Sequence, residues 1–223
     1  MNLISSSVLF ACVAITVNSA NASITDHLLY EQLTPTAQGD GASVYYSNPT
    51  HDQVMYDQFR FDSTTTIEGI GFWGAIYADE SISISIYADD QTGHPGALAY
   101  SHTFSRPDLN LSVSGTVIDD LWTTDELHAI AEFDQFFTAQ ADTTYWLAVT
   151  GDAFFSWTYG ATSGDNTVFY SNTAQDSFWT NADLGRDPTN LAFSVYGTSV
   201  PAPTSIPTLA LLGICAGRRR RIC

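Results

Sequence analysis

The run Ser81-Ile82-Ser83-Ile84-Ser85-Ile86-Tyr87 alternates serine with isoleucine and ends on tyrosine. Successive side chains of an extended strand point to opposite faces, so this period of two builds a strand with one isoleucine face and one polar face. On a helix the same isoleucines would be scattered around the axis. Nowhere in residues 23–199 does an apolar period of 3.6 persist, and clusters of Gly, Asn, Asp, Ser and Thr break the pattern repeatedly. Strands are expected at residues 44–47, 54–61, 66–73, 81–87, 97–104, 111–118, 128–136, 144–150, 154–159, 168–171 and 191–196. So many short strands without intervening helices predict an all-β chain: a single antiparallel β-sandwich of two packed sheets. Residues 119–137 are the one ambiguous stretch. Thr124 suits the cap of a short helix opening at Asp125, whereas Tyr145-Trp146-Leu147-Ala148-Val149 needs a strand partner, which favours strand for the second half.

Residues 23–199 make one domain large enough to hold a core. They carry no cysteine, since Cys12, Cys215 and Cys223 lie outside them, so neither disulfides nor a thiolate metal site nor a cysteine nucleophile is available to the body. All 24 acidic residues fall between Asp26 and Asp187, against Arg60, Arg106 and Arg186 and no lysine. Such a surface repels nucleic acid and anionic lipid and attracts divalent cations.

The two ends read as addresses. Residues 1–22 have the apolar run and the Ala20-Asn21-Ala22 site before Ser23 of a secretory signal peptide. Residues 200–223 begin Val200-Pro201-Ala202-Pro203, continue as an apolar segment containing Leu209-Ala210-Leu211-Leu212-Gly213, and end on Arg218, Arg219, Arg220 and Arg221. Proline cannot extend a ladder, the apolar segment is shorter than the roughly 20 residues of a spanning helix, and the arginines favour the cytoplasmic side. This tail resembles the PEP-CTERM sorting signal of Gram-negative bacteria in a Pro-Ala-Pro variant, with Ala202 where the family most often has glutamate. The resemblance implies recognition by an exosortase-like membrane enzyme, at least transient insertion of the tail in the inner membrane, and delivery to the outer envelope, cell surface or extracellular matrix.

The body also resembles a family of bacterial surface sandwich domains that carry such tails. The matching residues are Tyr56-Asp57-Gln58-Phe59, residues 67–74 with Tyr77, the strand and turn of residues 84–96, Tyr145-Trp146-Leu147-Ala148, and residues 191–197 closing the domain. The family implies a jelly-roll-like sandwich on an exported protein and no particular reaction.

No Gly-x-Ser-x-Gly or His-Glu-x-x-His occurs, and His27, His51, His94, His102 and His128 are read as solvent-exposed turn residues. Glu132-Phe133-Asp134 begins the Glu-x-Asp-x-x-Glu of laminarinase-like sandwiches, but Phe137 stands at the last position, so no catalytic residue is assigned and no enzyme is expected. Asp89 and Asp90, with Asp119 and Asp120, are paired carboxylates on expected turns, the oxygen donors a calcium ion takes; no other cofactor is implied. Trp157 and Trp179, near polar turns, with Tyr159 and Tyr170, are candidates for an exposed platform on which sugar rings stack, although for each single ring packing in the core or between the sheets is the favoured reading. The expectation is thus an exported, acidic, non-enzymatic surface protein associated with extracellular polysaccharide. A carbohydrate-binding module, calcium-assisted or not, is its alternative.

Overall fold

A computed structural model describes residues 24–32, 44–47, 53–77, 80–118, 124–152, 155–160, 168–172, 177–180 and 190–200. The expected signal peptide and all but the first residue of the expected sorting tail lie outside them. The elements are a 3-10 turn (Ile24–His27), then β1 (Leu28–Gln32), β2 (Val44–Tyr46), β3 (Val54–Arg60), β4 (Thr65–Ala75), β5 (Ser81–Asp89) and β6 (Pro95–Ser105). A second 3-10 turn (Arg106–Asp108) leads to β7 (Asn110–Ile118), β8 (Thr124–Ala139), β9 (Thr144–Gly151), β10 (Ser156–Thr158), β11 (Val168–Asn172), β12 (Ser177–Thr180) and β13 (Phe193–Ser199).

The strands form two antiparallel sheets that pack face to face. One runs β12-β11-β3-β9-β5-β6. The other is built on β4, whose one edge pairs β8, itself paired to β7, and whose other edge is shared by β13 with β1 and by β10 with β2. As the alternation predicts, Ile82, Ile84 and Ile86 are fully buried, while Ser83 and Ser85 exchange hydroxyl hydrogen bonds with Thr103 and Ser101 of β6. Their inner partners include Met55, Phe59, Ile67, Ile70, Phe72, Leu147, Phe155 and Phe193.

Three departures from the sequence reading have physical causes. The ambiguous stretch is strand from Thr124 onward, because it is paired on both edges, to β4 and to β7, and two ladders outweigh a weak helix preference. Strands β1 and β12 were not expected; each is short and pairs one neighbour only, leaving little alternation to read. Neither His102 nor His128 is a turn residue. His102 lies within β6, and His128 sits in β8, stacked on Trp73 with ring centres 4.1 Å apart.

Burial holds the His128 imidazole below its ordinary value. On acidification through the ordinary histidine range, about pH 6.5, the unfolded chain therefore takes up this proton first, and stability present above that range is lost as the pH falls. Thermal melts are expected to show a smaller loss between neutral pH and about pH 5 for His128→Phe, which keeps the stacking but not the proton, than for the native chain. An equal loss in both would remove His128 as a cause.

Candidate functional site

The site begins with an irregularity in β8. Gly69 of β4 pairs Glu132, yet Ile67 pairs Phe137, so a single β4 residue, Glu68, stands opposite residues 133–136 of β8. Such a bulge bends the strand and re-aims its side chains. Phe133, in the bulge, enters the sandwich: it is 4% exposed, stacked on Tyr100 at 4.5 Å and lying 6.3 Å from Phe104, both on the edge strand β6. Because neighbours on an extended chain face opposite ways, the inward turn of Phe133 leaves Glu132 and Asp134 exposed on either side of it.

Between this bulge and β6 lies a cleft of about 480 Å³, lined by His102, Phe104, Asp108, Asn110, Glu132 and Asp134. Phe104 supplies an apolar surface and the other five supply polar heads. Asn110 Nδ2 donates to Glu132 Oε1 at 2.9 Å, and the amide and hydroxyl of Ser105 both donate to Asp108 Oδ2, closing the turn. Those bonds fix Glu132 and Asp108 in place. The side chains of Asp134 and His102 make no hydrogen bond with a described residue; the His102 ring has a tilted contact with Phe104. Next to them the buried Tyr100 hydroxyl has no hydrogen-bond partner among the described residues. Burial, and then the charge of Asp134, push its pKa up to about 12, so it remains an O–H donor. The cleft thus offers carboxylate acceptors, an imidazole, an amide and an apolar ring edge within one volume. That is the inventory a polyhydroxylated ligand uses.

The expected platform is not formed by Trp157. Its side chain is fully buried, its indole N–H donating to the Ala192 carbonyl at 2.8 Å. Polar neighbours in sequence misled here, because Ser156 and Thr158 are themselves buried in the narrow strand β10 between β4 and β2. Tyr159 is half-buried and joined to Leu191 by an isolated bridge, packing against the core. Tyr170 and Trp179 pair with each other across β11 and β12, and their side chains lie outside the described residues.

Of the calcium candidates, Asp89 accepts the Trp146 indole N–H at 3.0 Å and the Gln91 amide at 2.7 Å. Asp90 accepts the amides of Thr92 and His94 and the Thr92 hydroxyl, bonds that hold its carboxyl below the usual range. Both are occupied in shaping the β5–β6 turn. Asp119 and Asp120 lie outside the described residues. Among the described residues no three acidic or histidine side chains converge closely enough to hold a metal ion, the cleft included.

No family model matches the chain, and no curated protein does. Among solved structures, a CocE/NonD family hydrolase from Staphylococcus aureus aligns over 77% of this chain and 37% of its own length, with 11% identity and a TM-score of 0.27. At that level the likeness carries no argument about fold or activity. The cleft was half legible in the sequence: Glu132-Phe133-Asp134 stood out as a carboxylate pair. That a bulge sets the pair opposite His102 was not legible, since nothing in the residues marks where a ladder slips.

Proposed function

We propose that this chain is an exported, non-enzymatic β-sandwich, carried to the outer envelope by its tail, that holds extracellular polysaccharide in the cleft beside the β8 bulge. The cleft's lining is the observation that carries this reading: fixed carboxylates and an amide at the rim, Asp134 and His102 side chains with no hydrogen-bond partner among the described residues, and Phe104 as an apolar contact for a ring. The placement of the ends supports delivery. β1 pairs β13, and the Val200 amide bonds the Thr64 carbonyl at 2.8 Å, so the tail leaves beside Thr65, where β4 begins. The Arg106–Asp108 turn follows Ser105, which pairs Ser81 of β5, and leads into β7, whose Asn110 stands opposite Ile130 of β8.

The test is titration calorimetry of the full chain with neutral oligosaccharides cut from the host's own polysaccharide. Asp134→Asn with Glu132→Gln is expected to weaken binding at least about 10-fold, the loss of two charge-assisted hydrogen bonds, with an unchanged melting temperature. Unchanged affinity sinks the cleft as the site, and release of new reducing ends makes the chain a glycosidase instead. Deleting residues 200–223 is expected to move the chain from the cell envelope into the medium.

A further inference from the structure

The Arg106–Asp108 turn separates the carboxylate cleft from a second, larger one of about 720 Å³, lined by Ser81, Ser105, Arg106, Pro107, Leu109 and Leu111, with Glu80 behind. The charges in it are Arg106 and Glu80. Glu80 is 2% exposed, accepts the Tyr77 amide at 3.1 Å and is pressed against Gly151, where even a single added Cβ would collide with its Oε1. It is turned into the protein. The Arg106 carbonyl accepts the Leu109 amide at 3.2 Å, while its guanidinium makes no hydrogen bond or ion pair with a described residue. That is unexpected in a chain with 24 acidic residues, in which Arg60 pairs with Asp142 at 2.9 Å. Loose arginines in so acidic a protein find carboxylates unless the backbone holds them away, and no described carboxylate meets this one. Here Pro107 fixes φ within the turn, and Asp108, two positions on, is tied back to Ser105.

We infer that Arg106 reads a carboxylate on the bound glycan, so that the ligand is an acidic polysaccharide whose uronic residue lies in the larger cavity while its neutral neighbour lies in the carboxylate cleft. The inference rests on the cleft reading above and names its ligand class. A guanidinium presents a planar fork of donors that matches a planar carboxylate in bidentate fashion. One such fork balances one negative charge. A doubly charged phosphate would meet the same fork with its second charge uncompensated, against a chain of net charge −17. Ser81 and Ser105 add hydroxyls for the sugar, and Leu109 and Leu111 an apolar wall. The two cavities, one acidic and one basic, meet at a turn only three residues long, so adjacent sugars of one strand face opposite chemistry.

The experiment compares a uronic-acid trisaccharide, its carboxyl-reduced neutral form and a sulfated neutral trisaccharide on the full chain, with Arg106→Gln and Arg106→Lys. The native chain is expected to prefer the uronate over the reduced form by about 10–100-fold, as one charge-assisted bidentate contact implies. Arg106→Gln is expected to abolish that preference while keeping affinity for the reduced form within about twofold, and Arg106→Lys, with charge but no fork, to restore part of it. Neutral binding without a uronate preference, or a preference that survives Arg106→Gln, overturns the role of Arg106 and leaves the cleft standing. A stronger response to sulfate than to uronate overturns the carboxylate assignment. Failure of the native chain to bind any of the three overturns both readings.

Discussion

Trp157→Ala is expected to destabilise the chain by about 3–5 kcal/mol, which is the range for truncating a buried tryptophan and a large share of the 5–15 kcal/mol that holds a typical domain together. The indole lies wholly inside the sandwich, edge-on to Phe193 at 6.4 Å, in a strand whose backbone pairs both Gly74 and Tyr45. Losing the indole hydrogen bond is the smaller part. The Ala192 carbonyl keeps the Trp73 amide at 3.3 Å, so the acceptor is not orphaned and the cavity dominates. Urea unfolding without ligand measures this directly. A variant that melted like the native chain, yet failed to bind glycan, would return Trp157 to the role of an exposed stacking ring. Trp157→Phe, which keeps most of the volume, is expected to lose less than half as much.

The contrast between Trp157 and the isoleucines of β5 shows what the sequence could tell. The alternation of residues 81–87 was legible because one face of β5 is buried and the other is half-open, so inside and outside differ in composition. The same period says nothing about β4, where residues 69–76 are buried on both faces and read as a continuous apolar run. His128 and Trp73 meet on the outer side of that strand, and neither position advertises it. The cleft was hidden for another reason. A strand signal survives a bulge: Ala129, Ala131 and Phe133 keep facing in, and Glu132 and Asp134 out, up to where the ladder slips between Gly69 and Ile67, and nothing in those residues marks the slip. Arg106 was legible only as a count, one of three cations in the body. That its guanidinium meets no described carboxylate is a property of the turn.

A last expected result concerns the charge at the centre of the sandwich. Asp57→Ala and Asp57→Asn are both expected to cost about 3 kcal/mol or more. Asp57 lies on β3 between Met55 and Phe59, both in the core, and is fully buried. Its two oxygens are used separately: Oδ1 accepts the Gln58 amide at 2.7 Å, and Oδ2 accepts the Leu191 amide at 2.6 Å across 134 residues of chain. The second bond ties β3 in one sheet to the segment entering β13 in the other. Alanine leaves both amides buried without their acceptor. Asparagine keeps one oxygen and puts an amide N–H₂ against the other N–H, a donor facing a donor, so it rescues little although its volume is right. Removing the exposed Arg60–Asp142 pair by Arg60→Gln, with both side chains more than half exposed, is expected to change stability by no more than about 0.5 kcal/mol. Chemical denaturation of the three variants separates these cases, and near-native stability in Asp57→Asn would sink the two-oxygen account. If the account holds, a single carboxylate fixes how the segment entering β13 docks on the sheet that carries β6, one wall of the cleft.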